Sequence, residues 1–336
     1  MNDRAALSQA FLAKAGWGAA SRQFLAGDAS DRSYDRLQQG LNTAVLMDAQ
    51  PGKGDDPATF LAIAQHLSAI GLSAPSCYAQ DLENGFLLLE DLGDTIYATL
   101  LKTAPMLENS LYTAATKVLA HLQCHPPAAN LANLTAQDWA EAACFALDWY
   151  SFAITGDRTD PADFRNALTD ALSRHADGPR VMILRDYHAE NLLWLPDRPG
   201  LARVGVLDFQ LAQLGQPGYD LVSLLQDARR NVSRETEAAM ICAFCNQTGI
   251  STTSFRPAYA TLGAQRALRI LGIFARLCLN SGKPNYLSLI PRVWHHLQRN
   301  LSEPELAPLA KICGRLLPEP TPEALARIGA QCGHFR

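Results

Sequence analysis

A polar segment between short apolar runs carries the side chains best suited to chemistry. The string RDYHAEN, Arg185–Asn191, follows one such run, and Asp208 ends another in the string VLDFQ. If the runs are strands, these residues lie at strand ends, where two acids and an amide can share a site. Mg²⁺ prefers oxygen ligands and accepts phosphate oxygens and waters to complete its shell. We therefore predict that Asn191 and Asp208 bind Mg²⁺ together with the phosphates of ATP.

Asp186, five residues before Asn191, has a different role in this interpretation. Its carboxylate accepts the proton of the hydroxyl group that attacks the γ-phosphate. It needs no unusual basicity, because a loose phosphoryl-transfer transition state is stabilised mainly by positioning and electrostatics. These residues therefore predict an ATP-dependent kinase with a hydroxyl group as acceptor.

The elements that must position these residues change in type near Asp94. Before it, short apolar runs bounded by turn residues predict strands, with one helix from near Pro57 to Gly71. After it, apolar residues recur at helical spacing. The predicted strands of the first part are Gln23–Leu25, Tyr34–Leu37, Ala44–Met47, Ser76–Tyr78 and Gly85–Leu89. The predicted helices of the second part are Met106–Gln123, Ala136–Ile154, Pro161–Ala176, Tyr219–Ala228, Glu235–Thr248, Arg256–Leu279, Leu287–Asn300 and Leu306–Leu317. The runs around the polar cluster are Val181–Leu184, Leu192–Leu195 and Val204–Leu207.

This pattern predicts an α+β protein with two domains. Residues 1–94 form a small β-rich N-lobe with one helix, which carries a nucleotide-binding sheet, a phosphate loop and a hinge at its end. Residues 95–336 form a larger, mostly α-helical C-lobe with the catalytic loop, the metal site and the acceptor pocket. The length of 336 residues suits such a two-domain chain.

Composition and charge restrict the classes of partner. A hydrophobic fraction of 48% and a charged fraction of 18% are typical of a compact soluble protein, and the net charge of −4 predicts no nucleic-acid partner. Polar residues interrupt Met1–Ala20, so a signal peptide is not expected, and no run approaches the roughly 20 apolar residues of a membrane span. We expect a cytoplasmic protein without membrane contact, and its oligomeric state stays open.

The catalytic segment resembles a known loop. The pattern Asp-x-His-x-x-Asn, followed by Asp-Phe at 208–209, is similar to the aminoglycoside phosphotransferase and choline kinase variant of the protein-kinase catalytic loop. The resemblance implies a bilobal protein-kinase-like fold with ATP and Mg²⁺ as cofactors. It assigns catalysis to Asp186, loop positioning to His188 and metal binding to Asn191 and Asp208. We group Arg185 with the catalytic residues.

Further segments resemble bacterial kinases that phosphorylate N-acetylmuramate and N-acetylglucosamine at the anomeric hydroxyl. The segments are Gly27–Leu37, Val45–Pro51, Leu87–Asp94, Tyr219–Asp227 and Arg269–Leu277. This resemblance implies that Gly27–Ser33 covers the ATP phosphates, that the backbone of Glu90–Leu92 meets adenine, and that Asp220 braces the catalytic loop. The candidate nucleotide-binding residues are Gly27, Asp28, Ser30, Arg32, Ser33, Glu90, Asp91 and Leu92.

One cation of the protein kinases is missing. Those enzymes place a lysine on the third strand to bind the α- and β-phosphates, whereas the run Ala44–Asp48 contains none. Arg32 and Arg36 flank the predicted phosphate loop, and we predict that Arg32 supplies the charge. The missing lysine also motivates an alternative, a catalytically inactive pseudokinase that acts as a nucleotide-binding scaffold.

The acceptor is a small molecule in this interpretation, and the resemblance implies an amino sugar used in wall recycling. An aminoglycoside, a choline-like alcohol or another alcohol stays open, because the catalytic loop is common to kinases for all of these. Trp139, Tyr150 and Arg266 are candidates for the acceptor pocket, since aromatic faces stack on sugars and arginines bind carboxylates. Ordinary helix packing is the alternative for each of the three.

Overall fold

The computed structural model describes residues 4–27, 32–54 and 56–334. Its strands in chain order are β1 (Ser21–Ala26), β2 (Arg32–Gln39), β3 (Asn42–Ala49), β4 (Cys77–Asp81), β5 (Phe86–Glu90), β6 (Val181–Ile183), β7 (Leu192–Trp194), β8 (Val204–Val206) and β9 (Gln213–Gly215). Its α-helices are α1 (Arg4–Lys14), α2 (Pro57–Ala69), α3 (Tyr97–Thr103), α4 (Glu108–Gln123), α5 (Ala136–Ala143), α6 (Phe152–Thr155), α7 (Ala162–His175), α8 (Tyr219–Leu225), α9 (Arg234–Thr248), α10 (Thr252–Ser281), α11 (Ile290–Leu301), α12 (Ala307–Leu316) and α13 (Pro322–Ala330). A π-helix, Ala146–Ser151, precedes α6.

The chain divides into two compact units. The first comprises residues 1–118 and 189–212, and the second comprises residues 119–188 and 213–336. The first unit therefore includes two segments that lie beyond the predicted boundary at residue 94. Backbone hydrogen bonds explain the membership of the second segment, because Trp194 donates to Thr95 at 2.8 Å and Val206 donates to Ser73 at 2.8 Å.

An antiparallel sheet of five strands in the order β1-β2-β3-β5-β4 is the centre of the first unit. β2 and β3 pair from Arg32 opposite Ala49 to Gln39 opposite Asn42, so a two-residue turn joins them. Gly40 in that turn has a φ of 63°, which suits glycine. On one face of the sheet, buried side chains of α1 pack against those of the strands. The members of this core are Phe11, Leu12, Leu37, Ala44, Leu46, Phe86 and Leu88.

The second unit is built around α10, a helix of 30 residues that is buried along most of its length. It packs against α5, α7, α8, α9, α11 and α13 and against the π-helix. The approach to the π-helix is close, because a Cβ atom at Gly272 would lie 2.2 Å from backbone atoms of Phe145. Glycine is therefore needed in the middle of α10, although glycine disfavours a helix.

The predicted α+β class and most of the predicted elements are confirmed. Each predicted strand overlaps an observed one, and α2 begins at Pro57 as expected. The prediction of one helix over Ala136–Ile154 is wrong, because this stretch divides into α5, the π-helix and α6. The sequence interpretation also missed α1, α3, β9 and α13.

Candidate active site

The β7–β8 hairpin of the first unit brings Asn191 and Asp208 together. β7 pairs with β8 in antiparallel register, with Leu192 opposite Val206. The backbone N–H of Leu207 donates to the carbonyl of Asn191 at 2.9 Å and extends the ladder by one bond. Asn191 therefore precedes the first strand of the hairpin while Asp208 follows the second, at the same end. The predicted pair of polar residues is thus neighbouring in space.

Asp208 is held in an uncommon conformation that directs its carboxylate outward. Its φ is 55°, in the left-handed region that few residues other than glycine adopt. The next residue, Phe209, is fully buried and packs against Phe60 of α2 with the ring centroids 4.8 Å apart. Gln210 donates from Nε2 to Oδ1 of Asp208 at 2.8 Å, and the Asp208 side chain keeps 48% of its surface exposed. Strain of this kind is concentrated at functional sites.

Two arginines of β2 differ sharply in their surroundings. Arg32 is 5% exposed, and its Nη2 lies 3.9 Å from Oδ1 of Asp208. Arg36 pairs with Asp91 at 2.8 Å and with Asp94 at 2.8 Å. These two carboxylates, Asp94 foremost, raise the pKa of Arg36 despite its partial burial. Of the two cations, Arg32 is therefore the one that adjoins the predicted metal ligand.

The register of the sheet relates Arg32 to the missing lysine. Arg32 lies opposite Ala49, and Tyr34 lies opposite Met47, so alternate residues of the two strands share one face. Met47 on that face of β3 is fully buried. A cation from β2 thus occupies the face on which β3 offers an apolar side chain.

The other predicted nucleotide-binding residues lie around the same sheet. A Cβ atom on Gly27 would be 3.2 Å from the Cβ of Ser33, so the chain closes tightly there. Asp28 and Ser30 fall outside the described residues. The carboxylate of Glu90 pairs with Arg198 and accepts from the N–H of Ser76 at 3.3 Å. Asp91 accepts from the N–H of Gly93 at 3.0 Å, and Leu92 follows it at the end of this segment.

In the second unit, Asp220 fixes the backbone of the catalytic loop. It is fully buried at the start of α8 and accepts hydrogen bonds from the N–H groups of Leu184 at 2.6 Å and Arg185 at 2.8 Å. Burial raises the pKa of Asp220 to about 7, against the effect of these two donors. Arg185 has a φ of 71°, and the residue after it is Asp186. The predicted bracing residue therefore holds the backbone turn from which Asp186 projects.

His188 is buried in the second unit, with 7% of its surface exposed. Burial lowers the pKa of His188, although the carboxylate of Asp227 acts in the opposite direction. The ring is therefore neutral at physiological pH. A buried imidazole with a lowered pKa is a weak proton acceptor, which fits the predicted positioning role better than that of a catalytic base.

The three predicted acceptor residues lie in the interior of the second unit. Trp139 is 2% exposed, and its ring lies 4.8 Å from that of Tyr219. Tyr150 is fully buried, and its hydroxyl donates to the carbonyl of Pro318 at 2.7 Å. Arg266 on α10 is 7% exposed and donates from Nη1 to the carbonyl of Gln226 at 3.1 Å. The ring of Trp139 and the ring and hydroxyl of Tyr150 are thus held by contacts within the unit, whereas Arg266 makes a single hydrogen bond there.

Asp227 is a buried acid beside His188 that the sequence interpretation left without a role. It ends the segment Tyr219–Asp227 and is 1% exposed. The signal that could have found it is an acidic residue directly after an otherwise apolar helical run. Its position beside the catalytic loop makes it a candidate functional residue.

The donor set fits a magnesium ion that is held partly by phosphates. In the described part of the chain, no three His, Cys, Asp or Glu side chains gather into a group that could bind a metal alone. An exposed carboxylate beside an amide suits Mg²⁺, which keeps waters and shares its shell with substrate phosphates.

Among the described residues, no helix combines the length and the apolar character needed to span a bilayer.

Known proteins resemble this chain in sequence and in fold. Residues 21–259 match the model of the phosphotransferase enzyme family. An N-acetylmuramate/N-acetylglucosamine kinase of Caulobacter vibrioides is 37% identical, with 95% of this chain and 98% of that protein covered. A kinase of the same name from Pseudomonas aeruginosa is 34% identical, with 92% and 93% covered. The structure of a putative aminoglycoside phosphotransferase from Ralstonia eutropha superposes with a TM-score of 0.66 at 18% identity, covering 92% of this chain and 98% of that one. This likeness confirms the protein-kinase-like fold.

Proposed function

Since this chain belongs to the phosphotransferase enzyme family and is an ATP-dependent kinase, we propose that it phosphorylates the anomeric hydroxyl of an amino sugar. The observation that carries the proposal is the end of the β7–β8 hairpin, where Asn191 and Asp208 adjoin. Asp186 precedes Asn191 by five residues. The names of the relatives support N-acetylmuramate and N-acetylglucosamine as acceptors. They do not favour the inactive scaffold.

Asn191 and Asp208 would hold Mg²⁺ through an amide oxygen and a carboxylate oxygen. The ion would neutralise charge that develops on the β- and γ-phosphates. Gln210 keeps the Asp208 carboxylate in place through its hydrogen bond to Oδ1. Arg32, whose guanidinium faces Asp208, would contact the same phosphates in place of the third-strand lysine.

Asp186 would accept the proton of the attacking hydroxyl group. As the sugar oxygen bonds to the γ-phosphorus, the bond from this phosphorus to the oxygen that bridges it to the β-phosphorus breaks. The products are a sugar 1-phosphate and ADP, and the proton is first taken up by Asp186. Asp220 holds the backbone before Asp186 through the N–H of Arg185, so this carboxylate needs little reorganisation. We place the reaction in the cytoplasm, where ATP is supplied.

A product assay tests the proposed function. The purified protein is incubated with Mg·ATP and a panel of amino sugars, aminoglycosides and amino alcohols, and phosphorylated products are followed by ³¹P NMR. We expect transfer to the amino sugars, with a product that hydrolyses in mild acid as anomeric phosphates do. An acid-stable product, or transfer only to another class of acceptor, would contradict the assignment.

Asp186→Asn is the variant for the same assay. We expect its turnover to fall roughly 10²- to 10⁴-fold, the range typical of a lost general base. Asp157→Asn removes an exposed carboxylate from the same unit and serves as the matched control. Equal turnover by Asp186→Asn and the wild type would remove Asp186 from its proposed role.

A further inference from the structure

Two opposite charges, Arg266 and Asp227, are buried in the second unit, with 7% and 1% of their surfaces exposed. Arg266 makes one hydrogen bond to the described residues, from Nη1 to the carbonyl of Gln226, although a guanidinium has five N–H donors. Asp227 accepts from the N–H of Arg229 at 2.7 Å through Oδ1. Its Oδ2 is buried and has no donor among the described residues. Neither side chain forms an ion pair with another described residue.

Some of the neighbouring buried polar side chains pair with one another. Gln226 and Asn300 exchange two hydrogen bonds, of 3.0 and 2.8 Å. Glu237 accepts from Tyr259 at 2.7 Å and from Arg299 at 2.6 Å. Oδ2 of Asp227 is, with Oε1 of Gln265 and both ring nitrogens of His296, among the buried atoms of this unit that have no partner in the described part of the chain.

A buried polar atom without a partner is costly, so Oδ2 of Asp227 calls for a donor. Among the described residues, no nitrogen atom of Arg266 is both buried and without a partner, so its remaining N–H donors stay open to a ligand. Burial lowers the pKa of Arg266, while Tyr219, Asp227 and Asp186 act in the opposite direction. The same Asp227 and Arg266 influence the pKa of His188. α8 holds the catalytic loop through Asp220 and through Ser223, whose hydroxyl donates to the carbonyl of Arg185 at 3.3 Å. Gln226, whose carbonyl Arg266 binds, and Asp227 follow this helix directly, so both charges lie near the point where α8 meets the catalytic loop of their own unit.

The cavity that touches Arg266 on the α11 side is too small for a ligand of this kind. It has a volume of about 10 Å³ and is lined by Arg266, Gln226, Gly263 and His296 among others. Such a space holds one water molecule at most and has no room for a carboxylate group. A carboxylate that pairs with Arg266 must therefore approach from another side, and the end of α8 lies there, because Arg266 binds the carbonyl of Gln226.

We propose that Arg266 and Asp227 bind the acceptor, and that Arg266 makes the enzyme prefer an acidic amino sugar to a neutral one. Arg266 pairs with the acceptor's carboxylate, and Asp227 accepts a hydrogen bond from a sugar hydroxyl group. N-acetylmuramate carries a lactyl carboxylate that N-acetylglucosamine lacks, so these two sugars isolate the contribution of the charge. This inference rests on the proposed function, because it takes an amino sugar as the acceptor.

The test is the ratio of kcat/KM for N-acetylmuramate to kcat/KM for N-acetylglucosamine, measured by coupled ADP release. We expect Arg266→Met to lower this ratio roughly 10- to 100-fold, the contribution of a charge-assisted bidentate pair. Arg266→Lys keeps the charge but not the planar fork and should give an intermediate ratio. Arg269→Met removes a partly buried arginine of the same helix and should leave the ratio unchanged.

Asp227→Asn distinguishes the two contacts. It should lower kcat/KM for both sugars by a similar factor, because the hydroxyl contact is common to them. A ratio that is unchanged in both Arg266 variants would overturn the inference and leave the proposed function standing. If Arg266→Met does not fold, as judged from its melting temperature, Arg266→Lys decides. A wild-type enzyme that uses neither sugar would overturn the proposed function as well.

Discussion

At the scale of single residues, the contacts around a side chain separate arginines that the sequence cannot rank. Arg32 and Arg36 both flank the predicted phosphate loop, and either could replace the missing lysine. Arg36 is committed to Asp91 and Asp94, so its charge is already compensated. Arg32 is buried, and its Nη2 lies 3.9 Å from Oδ1 of Asp208. Its proximity to the proposed metal ligand is the reason for which we propose Arg32 as the phosphate contact.

Replacement of Arg32 tests this assignment. We expect Arg32→Met to weaken the binding of a non-hydrolysable ATP analogue and to raise the KM for ATP, each roughly 10- to 100-fold, because a charge-assisted contact to phosphate is lost. Arg32→Lys should restore part of the affinity. Calorimetry on the analogue gives the first quantity without turnover. Arg22→Met, which removes an exposed arginine of β1, is the control, and equal affinities of the Arg32 and Arg22 variants would argue against a phosphate contact.

At the scale of elements, the spacing of apolar residues within a segment predicted those helices and strands that depend mainly on that segment. Two of the predicted apolar runs, Leu192–Leu195 and Val204–Leu207, contain the strands β7 and β8, and the pairing of these strands brings Asn191 beside Asp208. β9 was missed because Gln213–Gly215 has only one apolar residue, Leu214, and becomes a strand by pairing with β6. The left-handed backbone of Arg185 was also not predictable, since a buried Asp220 from another element stabilises it.

The π-helix is a second case in which a distant element decides local structure. Its sequence, Ala146–Ser151, continues the helical pattern of α5, so a continuous helix was predicted. The backbone of Phe145, directly before it, meets α10 at Gly272, and no side chain fits between the two. The geometry of this contact depends on a glycine more than 100 positions away in the sequence, which periodicity cannot detect.

Replacement of a helical glycine by alanine should change the free energy of unfolding in opposite directions at Gly272 and at Gly314. Alanine favours a helix over glycine by about 1 kcal/mol, but a Cβ atom at Gly272 would overlap the backbone of Phe145. We expect Gly272→Ala to lower the free energy of unfolding by about 1–3 kcal/mol, since overpacking outweighs propensity. Gly314→Ala in α12 meets nothing within 4 Å and should raise it by about 0.5–1 kcal/mol. Urea denaturation measures both, and a stabilised Gly272→Ala would contradict the packing argument.

At the scale of the whole molecule, membership of the two units could not be read along the chain. The sequence placed the boundary at residue 94, where strand-like pattern gives way to helical pattern. Residues 189–212 nevertheless belong to the first unit, because backbone hydrogen bonds tie the β7–β8 hairpin to Ser73 and Thr95. Periodicity reports the type of each element, whereas unit membership depends on pairing between segments more than 90 residues apart.

Ligand-linked stability is the whole-molecule consequence of the proposed metal site. A ligand that binds only the folded chain at about 100 times its Kd adds about 2.7 kcal/mol to the free energy of unfolding. For 336 residues, at roughly 2.1 cal/mol/K of unfolding entropy per residue, this corresponds to a rise in Tm of about 4 °C. We expect Mg²⁺ with a non-hydrolysable ATP analogue to give this rise, and the analogue with EDTA to give a much smaller one, because phosphate charge then faces Asp208 without a cation.

The variant Asp208→Asn should distinguish the rise in Tm that the metal causes from the rise that the nucleotide causes. It removes the charged metal ligand, so the difference between Mg²⁺ and EDTA should largely disappear while the metal-free rise persists. Asp197→Asn changes an exposed aspartate in the turn of the same hairpin and should behave as the wild type. Differential scanning fluorimetry measures the three proteins with Mg²⁺ and with EDTA at equal protein concentration. If Asp208→Asn retained the full magnesium-dependent rise, the metal would have to bind elsewhere and Asp208 would lose its proposed role.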